Sequence, residues 1–147
     1  MVKIMTTKQY LQQIYRLYAQ IKQRQEQLDE LKAAAAGFRA IDYSADKVQS
    51  SPTDRMADVV GRYADLEAEI QELIDTFFIR KNTIISQIQA LDDPRYADVL
   101  YARYVSFEPF RKIAKDLHYD YDYCCRLHGK ALKAFELKFL NEDSKRQ

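Results

Sequence analysis

The segment 110–135, FRKIAKDLHYDYDYCCRLHGKALKAF, carries the pattern that decides the fold of this chain. Its first part has apolar residues at helical spacing, which predicts a short helix that ends near Leu117. The joint 117–120 follows, and Asp120 is of a residue type that caps the start of a helix. The segment therefore predicts two short helices separated by a tight turn.

The second of these helices is predicted to be amphipathic. One side of its helical wheel is apolar and carries Cys124, Leu127, Ala131, Phe135 and Phe139. The opposite side carries Asp122, Arg126, Gly129, Lys130 and Lys133. We expect the apolar side to pack on the preceding helices, which leaves the other side free to meet solvent or DNA.

Two long helices are predicted before this segment, one from residue 6 or 7 to about 36, ended by Gly37, and one over about 54–91. The first has an apolar seam, broken at Arg24, that consists of Tyr10, Ile14, Leu17, Ile21, Leu28 and Leu31. The seam of the second consists of Met56, Val59, Tyr63, Leu66, Ile70, Leu73, Phe77, Ile84, Ile88 and Leu91. Because both seams follow steps of three and four residues, we expect an antiparallel hairpin, packed within one chain or between chains.

After Pro94 the helices shorten, and three are predicted over about 95–105, 107–117 and 121–140. The predicted fold is all-α, a long antiparallel helical hairpin followed by a C-terminal trihelical helix-turn-helix module. The expected parts are the hairpin 1–93 with its connector 37–54, the module 94–140 and a frayed tail 141–147.

Composition limits the class of protein. Hydrophobic residues make up 47% and charged residues 31% of the 147 residues, as in an ordinary soluble protein. No apolar run is long enough to span a membrane and no signal-peptide core begins the chain. We therefore expect a cytoplasmic protein without membrane contact.

The net charge of +1 conceals an uneven distribution of charge. Residues 33–93 carry six basic and eleven acidic residues, whereas residues 94–147 carry eleven basic and eight acidic ones. A protein that grips long DNA by itself is usually more basic. We therefore expect DNA binding to be modest, dimeric or assisted by a partner.

The sequence lacks the motifs of an enzyme. It contains no Gly-rich phosphate loop, no nucleophile elbow and no helically spaced pair of His ligands. The adjacent Cys124 and Cys125 point about 100° apart on a helix, so we expect neither a disulfide nor a metal site there. His118 and His128 are expected to be structural or surface residues, and no cofactor or metal is expected.

The charged side of the last helix has the chemistry of base recognition. Arg126 can pair with a guanine through two hydrogen bonds, and Asp122 can accept one from a cytosine amino group. Tyr121 and Tyr123, at the start of the helix, are placed to touch a phosphate or a thymine methyl group. These four residues are the candidate base-proximal contacts.

Four lysines are candidate phosphate contacts. Lys130 and Lys133 lie on the last helix, and Lys112 and Lys115 lie on the helix before it, which crosses the DNA backbone in this motif. The alternative is an ordinary solvated face, since amphipathic helices commonly carry one.

The segment 103–135 resembles region 4 of bacterial sigma factors. The motifs that carry the resemblance are Arg103-Tyr104, Ile113-Ala114, Leu117-His118-Tyr119-Asp120 and Ala131-Leu132. His118 stands where the family usually has glycine, and Asp120 where it usually has a Ser or Thr cap. The resemblance implies a DNA-binding helix-turn-helix, with Asp122 and Arg126 at positions where this family often carries base-contacting or polar residues.

The chain also resembles prophage proteins of the ArpU/RinA type, which are late-transcription regulators similar to sigma region 4. The matching stretches are 48–56 (VQSSPTDRM), 65–70 (DLEAEI), 91–96 (LDDPRY) and 127–132 (LHGKAL). This resemblance implies a phage origin, and therefore a location in the cytoplasm of a bacterial host cell.

The sequence therefore predicts a regulator of phage transcription that binds specific double-stranded DNA, with RNA polymerase as a further partner or as a homodimer through the hairpin. One alternative is a DNA-packaging adaptor similar to a small terminase subunit. Another is a protein-interaction module that binds RNA polymerase without contacting DNA.

Overall fold

The computed structural model describes residues 5–42 and 52–141, with side chains for 5–37 and 54–141. Over these residues helix is the only regular secondary structure. The all-α class predicted from the sequence is therefore confirmed. Residues 43–51 of the predicted connector 37–54 lie outside the described residues, as does the tail beyond Asn141.

A capping box begins the first helical stretch. The Thr6 side chain accepts a hydrogen bond from the Gln9 backbone N–H at 3.2 Å, and the Gln9 side chain accepts one from the Thr6 N–H at 3.0 Å. These two bonds satisfy donors that the first turn of a helix leaves open. Helix α1 covers Thr7–Leu11 and α2 covers Gln13–Asp42, with a turn at Gln12 between them.

The prediction that Gly37 ends this helix is wrong. Helix α2 continues through Gly37 to Asp42, and no glycine of the described chain has a positive φ. Glycine ends a helix when it adopts the left-handed conformation after the last turn. Inside a helix it only costs about 1 kcal/mol relative to alanine and leaves the hydrogen-bond ladder intact.

Helix α3 covers Pro52–Gln89, close to the predicted range of 54–91. Proline fits at its first position because the first turn does not use that N–H. Asp93 then accepts a hydrogen bond from the Arg95 backbone N–H at 2.9 Å and caps α4, which covers Pro94–Leu100. Asp93 and Pro94, which follow α3, therefore start the next helix.

Helix α4 continues as a π-helical turn over Tyr101–Val105. Helix α5 covers Phe110–Asp116, and α6 covers Tyr121–Phe135 and continues as a π-helical turn over Glu136–Leu140. Helix α5 begins later than the predicted residue 107, because Phe107 has a φ of 57°, which is incompatible with a right-handed helix.

The chain divides into two compact units. The terminal unit consists of residues 1–16 and 77–147, and the middle unit consists of residues 17–76. The terminal unit therefore contains the predicted segment 94–140 together with the start of the chain and the end of α3.

Two apolar clusters hold the terminal unit together. The first cluster joins α1, the start of α2, the end of α3, α4 with its π-helical turn, and α6. Its buried members are Leu11, Ile14, Ile84, Ile88, Leu91, Leu100, Tyr104, Val105, Ala131 and Phe135. The second cluster lies between α4, α5 and α6, and its buried members are Val99, Ile113, Ala114, Cys124 and Leu127. Each large aliphatic side chain buried in this way stabilises the fold by about 1.5–3 kcal/mol. The clusters confirm the predicted apolar side of the last helix.

The described part of the middle unit buries far fewer apolar side chains than the terminal unit. The predicted seam residues form the covered side of both helices, but among the side chains described in this unit only Leu28 and Ile70 are buried. Arg24 pairs with Glu69 at 3.2 Å, and the Lys32 ammonium lies 5.8 Å from the centre of the Tyr63 ring. The two pairs run in opposite directions along α2 and α3.

The turn after α5 is a Schellman motif. The Tyr119 N–H donates to the Ala114 carbonyl at 2.8 Å, and the His118 N–H donates to the Lys115 carbonyl at 3.2 Å. His118, the first residue after the C-cap Leu117, has a φ of 60°, in the left-handed region that favours glycine. The motif therefore keeps its geometry with histidine, at a conformational cost of about 1–2 kcal/mol.

Replacing His118 with glycine is expected to stabilise the protein. The variant His118→Gly removes the steric cost of the left-handed conformation. Glycine also raises the conformational entropy of the unfolded chain, which offsets part of this gain, so the free energy of unfolding should rise by about 0.5–1 kcal/mol. Urea denaturation followed by circular dichroism measures this change. His118→Val, in which a β-branched residue must adopt the same φ, should be destabilised, and a His118→Gly protein less stable than the native chain would contradict this account of the turn.

Candidate nucleic-acid interface

Helix α6 belongs to both apolar clusters of the terminal unit. Its first half buries Cys124 and Leu127 in the second cluster, and its second half buries Ala131 and Phe135 in the first. All four lie on one side of the helix, so their burial fixes the rotation of α6 about its own axis. The opposite side must then face away from the protein.

That outer side carries the charged residues singled out in the sequence. Asp122, Arg126, Gly129, Lys130 and Lys133 are all exposed. No ion pair within the described chain engages Arg126, Lys130 or Lys133. These three cations are therefore accessible to an anionic partner.

The start of α6 is arranged around an exposed aromatic ring. Asp120 occupies the N-cap position, as predicted, but its side chain makes no capping hydrogen bond. The Tyr121 ring is 48% exposed and lies 5.4 Å from the guanidinium carbon of Arg111, which is itself exposed. Arg111 is a cation that the sequence analysis missed, since only the pairing of α5 with α6 shows that it lies beside Tyr121.

Tyr123 has an internal role that the sequence did not indicate. Its hydroxyl accepts a hydrogen bond from Nη1 of Arg95 at 2.9 Å, and its ring contacts Tyr119 edge to face at 5.1 Å. Arg95 also pairs with Asp93 at 2.8 Å, and this hydrogen-bonded pair lowers the pKa of the Asp93 carboxyl. Tyr123 therefore ties α6 to the N-terminus of α4, and it is half-buried rather than fully available to a ligand.

The two candidate lysines of α5 differ in their surroundings. Lys112 pairs with Glu108 at 2.7 Å and with Asp116 at 3.3 Å, and both carboxylates raise its pKa. Lys115 is exposed and forms no ion pair with the described residues. Of the two, Lys115 is the better placed to contact a phosphate, because the charge of Lys112 is already balanced.

His128 lies on the inner flank of α6 and is half-buried. Its Nε2 is 2.8 Å from the Tyr104 hydroxyl, and its ring contacts Phe110 edge to face at 4.7 Å. Burial, and then the positive charges of Lys8 and Arg103, lower the pKa of His128 to about 4. His128 is therefore neutral near pH 7 and acts as a packing residue, as the sequence analysis expected.

Within the described ranges, no group of three or more His, Cys, Asp or Glu residues could hold a metal ion. Over the same part of the chain, no helix combines the length and the apolar character needed to cross a bilayer.

No protein family, curated protein or solved structure matched the chain. The resemblance to sigma region 4 and to the prophage regulators therefore stays a prediction from the sequence motifs.

The low pKa of His128 predicts a pH dependence of stability. Between pH 6.5 and about 4 the unfolded chain binds a proton on this imidazole and the folded chain does not, so the free energy of unfolding falls as the pH is lowered. The loss is expected to be about 1–3 kcal/mol. Urea denaturation of the native protein and of His128→Gln, at several pH values across this window, measures it. The two proteins should converge in stability at low pH, and a difference that does not change with pH would contradict the assignment.

Proposed function

We propose that the protein is a transcription regulator that binds double-stranded DNA, with α5, the turn and α6 as a helix-turn-helix and α6 as its recognition helix. The observation that carries the proposal is the outer side of α6, where Arg126, Lys130 and Lys133 face solvent while the opposite side is buried. A rigidly oriented cationic helix face is what major-groove recognition requires.

The α5–α6 connection supports this proposal. A short Schellman turn sets two helices at a fixed angle, as a helix-turn-helix requires. Around it, the second cluster binds α4, α5 and α6 into a three-helix core. In this arrangement α6 would enter the groove and α5 would cross the DNA backbone.

We assign roles to the exposed residues by their chemistry. Arg126 reads a guanine through two hydrogen bonds, and Asp122, in the first turn of α6, accepts one from a cytosine amino group. Lys130, Lys133 and Lys115 contact phosphates, and these contacts make the affinity dependent on salt.

Arg111 and Tyr121 extend this surface at the start of α6. The exposed Tyr121 ring and the neighbouring guanidinium would lie against the sugar-phosphate backbone. Tyr123 and Lys112 have smaller roles in binding, because the Arg95 hydrogen bond and the two carboxylate partners already engage them.

The two long helices are proposed to form an antiparallel hairpin that also joins two copies of the protein. The opposite direction of the Arg24–Glu69 and Lys32–Tyr63 pairs supports the hairpin. The shallow core of the middle unit supports a dimer, since the apolar Val60 is 59% exposed there and borders a cavity of about 350 Å³ between α2 and α3. A dimer would present two recognition helices to paired half-sites.

Selection of bound fragments from a phage genome by the purified protein, at two salt concentrations, tests the proposal. A recovered site whose affinity falls steeply with salt is the expected result. Light scattering on the same sample separates the alternatives: a ring of many subunits would favour a packaging adaptor, and a monomer or dimer favours the regulator. A folded protein that binds RNA polymerase but no DNA would favour the interaction module.

Two substitutions on α6 should weaken DNA binding in different ways. Arg126→Ala is expected to cost about 1–3 kcal/mol on the selected site and to relax specificity at one base pair. Lys130→Ala should weaken binding to all sequences alike and reduce the salt slope by about 1. Fluorescence anisotropy with labelled duplexes measures both, and Arg80→Ala, an exposed cation on α3, is the matched control. If all three proteins bind equally well, the proposed face is not the interface.

Gly129 offers a test that separates stability from binding. A Cβ at this position would meet nothing within 4 Å, so Gly129→Ala should raise the free energy of unfolding by about 0.5–1 kcal/mol. If the backbone of α6 approaches DNA closely at Gly129, the stabilised variant should bind the selected duplex more weakly. Urea denaturation and anisotropy on the same protein give both values, and equal or tighter binding would show that the groove does not close around this position.

A further inference from the structure

A half-open cavity of about 400 Å³ lies in the terminal unit, beside the π-helical turn that follows α4. Its lining consists of Gln12, Tyr15, Arg16, Arg103, Tyr104 and Phe107. Three aromatic rings and two guanidinium groups surround it, and no carboxylate is among the lining residues. The volume is in the range of pockets that hold small ligands or single anchoring side chains.

The aromatic wall of the cavity remains in contact with solvent. Tyr15 is 54% exposed and Phe107 is 36% exposed, and their rings meet edge to face with centres 5.3 Å apart. Tyr104 behind them is buried and fixed by its hydrogen bond to His128. The wall thus combines a rigid inner ring with two outer rings whose apolar surface a partner could cover.

The charge of Arg103 is held in place without being neutralised by its described contacts. Its Nη1 donates to the backbone carbonyl of Glu108 at 3.1 Å, and its guanidinium carbon lies 4.4 Å from the centre of the Phe110 ring. Neither contact brings a carboxylate, and the Glu108 carboxylate itself pairs with Lys112 at 2.7 Å. Together with the exposed Arg16, Arg103 therefore gives the cavity a positive potential.

The backbone beside the cavity is unusual at two successive places. The π-helical turn Tyr101–Val105 supplies two lining residues, and Phe107 holds a φ of 57°. An aromatic residue in the left-handed region costs about 1–2 kcal/mol. π-helical turns and strained residues are frequent at functional sites.

We infer that this cavity binds an acidic peptide segment of a partner protein, with a carboxylate on the two arginines and an adjacent aromatic or large aliphatic side chain against the Tyr15 and Phe107 rings. Arginine pairs with carboxylates through two hydrogen bonds, and the rings supply the apolar area that anchors a neighbouring side chain. A nucleic acid is a poorer fit, because its backbone carries a charge on every nucleotide and the cavity offers only two guanidinium groups.

The inferred site is distinct from the proposed DNA-binding face. Tyr104, which lines the cavity, contacts α6 through His128. His128 and Lys130 are two positions apart, so they lie about 160° apart around the helix. An acidic segment in the cavity and DNA on the outer face can therefore be bound together.

The test uses the full-length protein labelled with ¹⁵N and two tripeptides, acetyl-Glu-Phe-Glu-amide and acetyl-Gln-Phe-Gln-amide. We expect the acidic peptide to shift the backbone amide signals of Tyr15, Tyr104 and Phe107 with a Kd on the order of 1 mM, a normal affinity for so small a probe. The neutral peptide should bind about fivefold more weakly, since it loses a partly exposed ion pair.

Variants locate the binding. Arg16→Gln replaces an exposed side chain of the lining and should weaken the binding of the acidic peptide by about fivefold. The matched control Lys22→Gln lies on the same helix outside the lining and should leave this affinity unchanged. Lys130→Ala should also leave peptide binding unchanged, so a failure of the DNA-binding proposal and a failure of this one are distinguishable.

Several results would overturn the inference. Signals that do not move, equal shifts with the neutral peptide, or no effect of Arg16→Gln would each do so. Two further probes complete the test. If 3-phenylpropionate binds and the acidic peptide does not, the cavity is a site for a small free carboxylate. Thymidine monophosphate binding more tightly than the acidic peptide would assign it to a nucleotide.

Discussion

The burial of one side of α6 is the constraint on which the rest of the terminal unit depends. Cys124 and Leu127 pack between α4 and α5, and Ala131 and Phe135 pack on the start of the chain and the end of α3. A single helix thus contributes to two cores that are formed by segments far apart in sequence. Loss of this apolar side would separate the three-helix core from the elements that surround it.

The same constraint gives the outer side of α6 its functional interest. A charged face on a mobile helix has no fixed orientation, whereas the face of α6 is held by four buried side chains on its opposite side. Preorganisation of this kind reduces the entropy lost when a helix binds a ligand. The proposed contacts of Arg126 and Lys130 with DNA rest on this rigidity.

Two left-handed residues set the connections around this core. His118 allows the close turn between α5 and α6, and Phe107, two residues after the π-helical turn, delays the start of α5. Neither is glycine, so each carries a steric cost that the surrounding packing offsets. At His118 the result is a compact turn, and at Phe107 it is an aromatic ring held at the rim of a cationic cavity. The two turns thus serve the two surfaces for which we propose separate partners.

The sequence by itself determined the helical class, the covered seams of the long helices and the apolar side of α6, because these follow from residues spaced along one helix. It also identified Arg126, Lys130 and Lys133 as the outward charges for the same reason. It failed at Gly37, where local propensity was too weak to end a helix, and at the start of α5, because the left-handed Phe107 has no recognisable signal. Only the tertiary structure showed that Tyr123 and Lys112 are already engaged, that Arg111 lies beside Tyr121, and that two arginines and three rings surround one cavity. Those arrangements depend on contacts between residues distant along the chain, which periodicity and spacing within one helix do not encode.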